Sequence, residues 1–252
     1  MARAAVRALS GWRPARVVQV RRESATARTL VLEVPDWPGH LAGQHLDVRL
    51  SAPDGYRAVR SYSLASAAAP PGPARVEIGV QELDDGEVSP FLVREVRAGD
   101  VLEVTGPLGG WFVWRPQDPG PVQLVGGGSG VVPLVSVVRT HAAAGSPVPV
   151  RLLLSARSPE LAMHVPELRR RALRQPGFAF DVVWTRRAPE GEARPVGRLD
   201  AARLAAATVP AEQGPTCYVC GPTPFVEAVA ELLLAAGHPA ARIRTERFGA
   251  AG

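Results

Sequence analysis

The chain has 252 residues, a length that suits two domains of about 110–140 residues each. Its apolar content of 46% is ordinary for a soluble globular protein, and no apolar run approaches the roughly 18–20 residues a membrane span needs. The formal charge is +5 and all 29 cations are arginine, so a P-loop lysine, a Schiff base and a lysine general base are excluded. Asparagine is also absent and isoleucine occurs only as Ile78 and Ile243, which marks a bias of the whole chain rather than a basic binding face. The dense run Arg169–Arg171 with Arg174 falls on an expected helix and reads as a solvated surface, so neither nucleic acid nor membrane is expected as a partner. The N-terminus has arginines but no continuous apolar stretch of the secretory kind, which leaves a cytoplasmic protein as the default expectation.

Up to about residue 115 the apolar pattern has period two. Leu30, Leu32 and Val34 alternate with smaller or polar residues, as do Leu46, Val48 and Leu50, then Val76, Ile78 and Val80. These are expected to be half-buried antiparallel strands. Gly and Pro clusters at 35–39, 53–55 and 70–73 separate them, as in a small barrel or sandwich. The stretch 115–121, RPQDPGP, reads as a linker between domains spanning 1–117 and 118–252.

Beyond it the rhythm changes. Short apolar strands are expected at 121–125, 148–155, 178–184 and 216–220, alternating with helical segments. In 222–236, Phe225, Val229, Leu232, Leu233 and Ala236 share one helical face, with Pro222 at the start and Gly237 as the stop. Such alternation implies a parallel sheet covered on both sides.

The first strand of this half runs into Gly126, Gly127, Gly128, Ser129 and Gly130, then Pro133 and an apolar helix. A glycine-rich turn between a strand and a helix start lets backbone N–H groups approach a pyrophosphate, and the helix dipole favours the anion. The spacing departs from G-x-G-x-x-G, with Val131 at the third glycine position. The second strand ends at Arg157 and the third at Arg186 and Arg187, where an NAD site usually carries an acidic residue. Cations there suit the 2′-phosphate of NADPH.

Two cysteines, Cys217 and Cys220, lie on the strand at 216–220. Residues three apart on a strand face opposite ways, about 10 Å from each other, which excludes a disulfide. Two cysteines also fall short of the four ligands of an iron–sulfur cluster. The five histidines are scattered, and no metal site is expected.

Four motifs carry a resemblance: Arg60-Ser61-Tyr62-Ser63-Leu64-Ala65-Ser66, the glycine turn with Pro133, Cys220-Gly221-Pro222, and Glu246-Arg247-Phe248-Gly249. Together, in this order and spacing, they resemble the ferredoxin–NADP reductase superfamily over nearly the whole chain. That resemblance implies a Greek-key barrel for FAD followed by an α/β dinucleotide domain. It implies that Arg60 pairs with the flavin pyrophosphate, Tyr62 stacks on the isoalloxazine and Ser63 hydrogen-bonds near N5, with Ser66 closing the motif. Gly86, Val88 and Ser89 resemble the family's second pyrophosphate-holding segment. Cys220, Gly221 and Pro222 are placed beside the nicotinamide, and Glu246 and Phe248 beside the flavin; Ser63, Cys220 and Glu246 are the candidate catalytic residues.

The implied activity is hydride transfer from NAD(P)H, with NADPH favoured, to FAD, and onward transfer to a separate redox protein such as a ferredoxin or an oxygenase. Some members fuse a plant-type ferredoxin domain, whose cysteines are missing from this sequence. A reductase of free flavin or other diffusible acceptors, and a non-catalytic flavin or dinucleotide sensor, stand as alternatives. A monomer is expected.

Overall fold

The computed structural model describes residues 11–52, 54–83 and 85–248. The first sheet is antiparallel and contains β1 (Arg13–Arg22), β2 (Ala27–Trp37), β3 (His45–Ser51), β4 (Arg57–Ser63), β5 (Gly72–Gln81) and β6 (Val101–Leu108). Its order is β4-β3-β6-β1-β2-β5, so β6 returns by a long connection to lie between β3 and β1, a Greek-key path. A bridge between Leu64 and Ile78 and a 2.7 Å hydrogen bond from Ala65 N–H to Glu77 O tie the end of β4 to β5 and close the barrel. The period-two residues fill it: Leu30, Leu32, Val34, Leu46, Val48, Val76, Ile78 and Val80 are all fully buried. Leu50, nearer a strand end, is only partly so.

Two turn clusters behave differently from expectation. β2 continues through Pro35 to Trp37 across an irregularity in its pairing with β5, and β5 begins at Gly72–Pro73. The last pair between β1 and β2 is Arg16–Glu33, so Pro35 lies beyond the doubly bonded part of the strand, where its missing N–H costs no ladder bond on that side.

The second sheet is parallel, with β7 (Val122–Gly127), β8 (Val150–Ala156), β9 (Phe178–Trp184), β10 (Thr216–Pro222) and β11 (Ile243–Phe248) in the order β11-β10-β7-β8-β9. Helices α2 (Val131–Ala143) and α3 (Val165–Arg174) accompany one apolar layer, and α4 (Ala201–Ala207) and α5 (Thr223–Ala235) the other. Cys217 belongs to one layer and Cys220 to the other, and both are free thiols. On α5 the buried residues are Val226, Val229 and Leu233; Phe225 and Leu232 flank them and Ala236 is exposed, so the inward face is turned from the expected one. β11, read from sequence only as a terminal motif, is an edge strand with one buried residue, Ile243.

The α2–α3 layer continues into barrel residues Ala27, Ala42, Ala65, Phe112 and Trp114. One apolar layer therefore spans both sheets. Residues 115–121 include a turn in which Asp118 N–H donates to Arg115 O and Arg115 N–H to the Asp118 carboxylate. Among the described residues no helix is long and apolar enough to cross a membrane.

Candidate active site

β7 is followed by a single tight turn, Gly128–Gly130, and α2 starts at Val131. Gly128 adopts φ +56°, a left-handed conformation that glycine takes without strain. Gly130 is required for a different reason: a Cβ on it would stand 2.1 Å from Cys220 O, so the turn lies directly against β10. No side chain caps α2, which leaves its first N–H groups available at the C-terminal edge of the sheet. Open parallel sheets bind ligands at this edge. Gly126 pairs in register with Cys220, and the Phe225 ring covers Gly127 and Gly221. Pro133 is buried within the first turn of α2, where it shapes the helix start.

Cys220 is register partner of Glu246 across β10 and β11, as Pro222 is of Phe248. Phe248 is half-buried against the α2–α3 layer. Cys220 itself is completely buried, and burial, followed by the nearby Glu246 charge, pushes its thiol well above the usual range. Pro222, two residues further along β10, is exposed, whereas the Cys220 thiol stays protonated.

The barrel supplies the opposite wall. His45 on β3 faces Ser63 on β4 in register, and His45 Nδ1 stands 3.5 Å from Glu246 Oε1. The other oxygen of Glu246, Oε2, is buried without a hydrogen-bond partner. His45 thus links Ser63, its register partner, to Glu246, which in turn pairs in register with Cys220. His45 stands among them although no sequence motif includes it.

Arg60 is half-exposed on β4 and lies 3.5 Å from Glu87, which also accepts a hydrogen bond from Tyr56 Oη at 3.1 Å. The two expected pyrophosphate segments, Arg60 and Gly86–Ser89, are thus adjacent. Three side chains depart from expectation. Tyr62 pairs with Leu46 and is only 8% exposed, so most of its ring packs in the barrel instead of standing open for stacking. That burial also raises its phenol pKa. Ser89 Oγ accepts the Leu83 N–H at 3.0 Å and, nearly buried, closes the loop before α1 (Ser89–Arg94); Val88 is buried beside it. Ser66 Oγ accepts the Glu77 N–H at 3.2 Å and lies 3.3 Å from His40, so its hydroxyl serves the fold.

Arg157 and Arg186 are both exposed at the ends of β8 and β9, and Arg186 N–H donates to Arg157 O at 3.0 Å. Arg187 is occupied by an ion pair with Glu160. No group of three or more potential metal ligands occurs among the described residues.

The fit to FAD and a dinucleotide rests on the uncapped helix, the glycine turn that admits no Cβ, and the orphaned Glu246 oxygen. Comparison with known proteins agrees. The oxidoreductase FAD-binding domain matches residues 14–113 and the oxidoreductase NAD-binding domain residues 124–231. The flavohemoprotein of Deinococcus radiodurans is 32% identical over 252 residues, 95% of this chain and 60% of that protein. The glycine betaine monooxygenase reductase subunit of Chromohalobacter salexigens is 34% identical over 211 residues, 82% of this chain and 56% of its own length. The chain thus spans about three fifths of the flavohemoproteins it matches. Among solved structures, the FAD/NAD-binding domain of nitric oxide dioxygenase from Vibrio cholerae gives a TM-score of 0.83 at 26% identity, covering 94% of this chain and 99% of that one. An Amycolatopsis cytochrome P450 reductase gives 0.81 at 28%, covering 96% and 71%. The chain belongs to the ferredoxin–NADP reductase superfamily, as an oxidoreductase whose cofactors are FAD and NAD(P)H.

Proposed function

We propose that this chain takes hydride from NADPH in preference to NADH and passes the electrons to a separate redox protein. FAD supplies the hydride acceptor and the nicotinamide the hydride. The chain's own residues supply position and electrostatics. Residues 1–117 serve as the flavin domain and 118–252 as the dinucleotide domain. The observation that carries the reading is the contact of His45, the register partner of Ser63, with Glu246 beside the glycine turn, where two cofactors from two domains have to meet.

NADPH is favoured because Arg157 and Arg186 stand together without a side-chain ion pair among the described residues, positioned for a 2′-phosphate. An acceptor outside these residues follows from the cysteines. There are only two, both buried, and they lie on opposite faces of a sheet. Relatives named as a monooxygenase reductase subunit and a cytochrome P450 reductase support an oxygenase component as that acceptor.

Anaerobic mixing with NADPH tests the reading. The yellow protein is expected to bleach rapidly with NADPH and more slowly with NADH. Protein that carries FAD but is bleached by neither would overturn it. Electron delivery is then compared between a [2Fe-2S] ferredoxin and free FMN; faster turnover with free flavin would assign a diffusible acceptor instead.

A further inference from the structure

We propose that Arg139 is a positioning residue that bolts the segment after β4 onto α2 and thereby sets the flavin side of the site against the dinucleotide side. The proposal rests on the reductase reading above. The segment in question starts two residues after Ser63, and α2 starts directly after the Gly128–Gly130 turn. Each element therefore continues one of the two expected cofactor sites.

Arg139 bridges them with every part of its guanidinium. Nη1 donates to Ala65 O at 3.0 Å and to Glu77 Oε2 at 2.7 Å, while Nε and Nη2 clamp the Glu167 carboxylate at 2.9 and 2.6 Å. The neighbouring positions on the same face of α2 repeat the attachment. Ser136 Oγ donates to Ser66 O at 2.6 Å, and Ala68 N–H donates to Thr140 Oγ1 at 2.8 Å. Residues 136, 139 and 140 are spaced as one helical face. β5 comes close enough to join because residue 79 is glycine: a Cβ there would lie 2.4 Å from Val132. Ion pairs extend the bridge, from Glu77 to Arg21 in the barrel and from Glu167 to Arg171 on α3.

Stability alone is a poor reason for such a network. Ion pairs taken from water gain little over well-packed apolar residues, whereas a guanidinium fork fixes direction as well as distance. Burial opposes ionisation of Glu77 and Glu167, yet the arginines beside them hold both carboxyls below their ordinary range, Glu167 at about 2. The bridge is therefore fully charged at neutral pH. What it contributes is a fixed distance between two walls, and hydride transfer is steep in that distance: about 1 Å costs on the order of a hundredfold.

The test uses FAD-loaded protein and two variants. Arg139→Lys keeps the charge and loses the fork; Arg139→Met with Glu77→Gln and Glu167→Gln removes the three central charges together, so no carboxylate is left buried alone, while Arg21 and Arg171 keep partly exposed positions at the ends of the bridge. Amide exchange at Ala68 reads the attachment, and stopped-flow flavin reduction at saturating NADPH reads the geometry. Both variants are expected to keep FAD, to exchange Ala68 at least about 10-fold faster, and to reduce flavin about 10- to 100-fold more slowly with KM little changed. Reduction at the parent rate, or unaltered Ala68 exchange, in either folded variant overturns the proposal. If the parent itself is not reduced by NADPH, the reductase reading fails instead, and Ala68 exchange still decides whether Arg139 holds the segment.

Discussion

His45 on β3 and Glu246 on β11 come within 3.5 Å although they belong to different sheets, and Glu246 Oε2 is left buried with no partner. Leaving a buried carboxylate oxygen unpaired costs about 1–3 kcal/mol or more, and among the described residues Glu246 Oε2 is the one carboxylate oxygen in that position. Around it stand His45, whose register partner on β4 is Ser63, and Cys220, the register partner of Glu246 on β10.

Glu246→Gln is expected to slow anaerobic flavin reduction by about 10- to 1000-fold, or roughly 1.4–4 kcal/mol of barrier. FAD content should be unchanged. His45→Leu should act through the same carboxylate, so the double variant should be little slower than Glu246→Gln alone, the signature of coupled neighbours. Strictly additive losses in stopped-flow rates would show that the two side chains work independently.

Cys220→Ala separates a reacting group from a packing one. The thiol is fully buried and protonated, while Pro222 two residues further along β10 is exposed. The variant should lower the melting temperature by a few degrees, as loss of a small buried group does, and slow flavin reduction much less than Glu246→Gln. A rate loss equal to that of Glu246→Gln, with unchanged melting, would place the sulfur in the reaction.

Gly130→Ala tests the close approach of the glycine turn to β10. Its Cβ would need space already filled by Cys220 O at 2.1 Å, a backbone atom that cannot rotate away. A cost of about 1–3 kcal/mol or more is expected, with weaker dinucleotide binding because the turn shifts away from β10. Thermal melting and a dinucleotide titration measure the two effects.

Arg60→Ala should loosen FAD. One charge-assisted contact to phosphate contributes roughly 1.5–3 kcal/mol, about a 10- to 150-fold change in affinity. Arg186→Ala should raise KM for NADPH and leave that for NADH nearly unchanged. Its neighbour Arg187 is already paired with Glu160 and is a weak substitute. Fluorescence titration of the apoprotein checks the first, and initial rates with both dinucleotides the second.

The sequence made the barrel strands legible because a half-buried strand shows its inward face every second residue, as Leu30, Leu32 and Val34 do. The same rule fails for β11, which offers one buried residue at the sheet edge. It also misjudged Pro35, since a proline past the last doubly bonded pair does not stop a strand. Glu246 and Ser63 were visible as parts of motifs. His45 and Arg139 were not, because their importance comes from partners 201 positions away in one case and 62 and 28 in the other. No local pattern encodes such pairings. The inward turn of Ser66 and Ser89 was hidden for the same reason: a hydroxyl's partner is fixed by the folded backbone, not by its own neighbours in sequence.

Acid should loosen the joint between the two sheets. For Glu167, burial alone would raise the carboxyl, but hydrogen bonds and charge from Arg139 and then Arg171 outweigh it and set the pKa at about 2, below its ordinary 4.5. Glu77 is lowered in the same way by Arg139 and Arg21 against its burial. With the folded pKa depressed, the unfolded chain binds more protons as pH falls, so stability falls with it. The contribution is complete above about pH 4.5, declines between 4.5 and 2, and is gone once the folded carboxyl protonates. Melting temperatures from pH 7 to pH 2, followed by circular dichroism, should therefore drop through that window. Glu167→Gln should melt lower than the parent at pH 7 but lose less on acidification, because its side chain has no proton to take up. The two curves should converge near pH 2. Parallel curves across the whole range would mean that Glu167 titrates alike in folded and unfolded chains, and that its bonds to Arg139 and Arg171 add nothing to the joint.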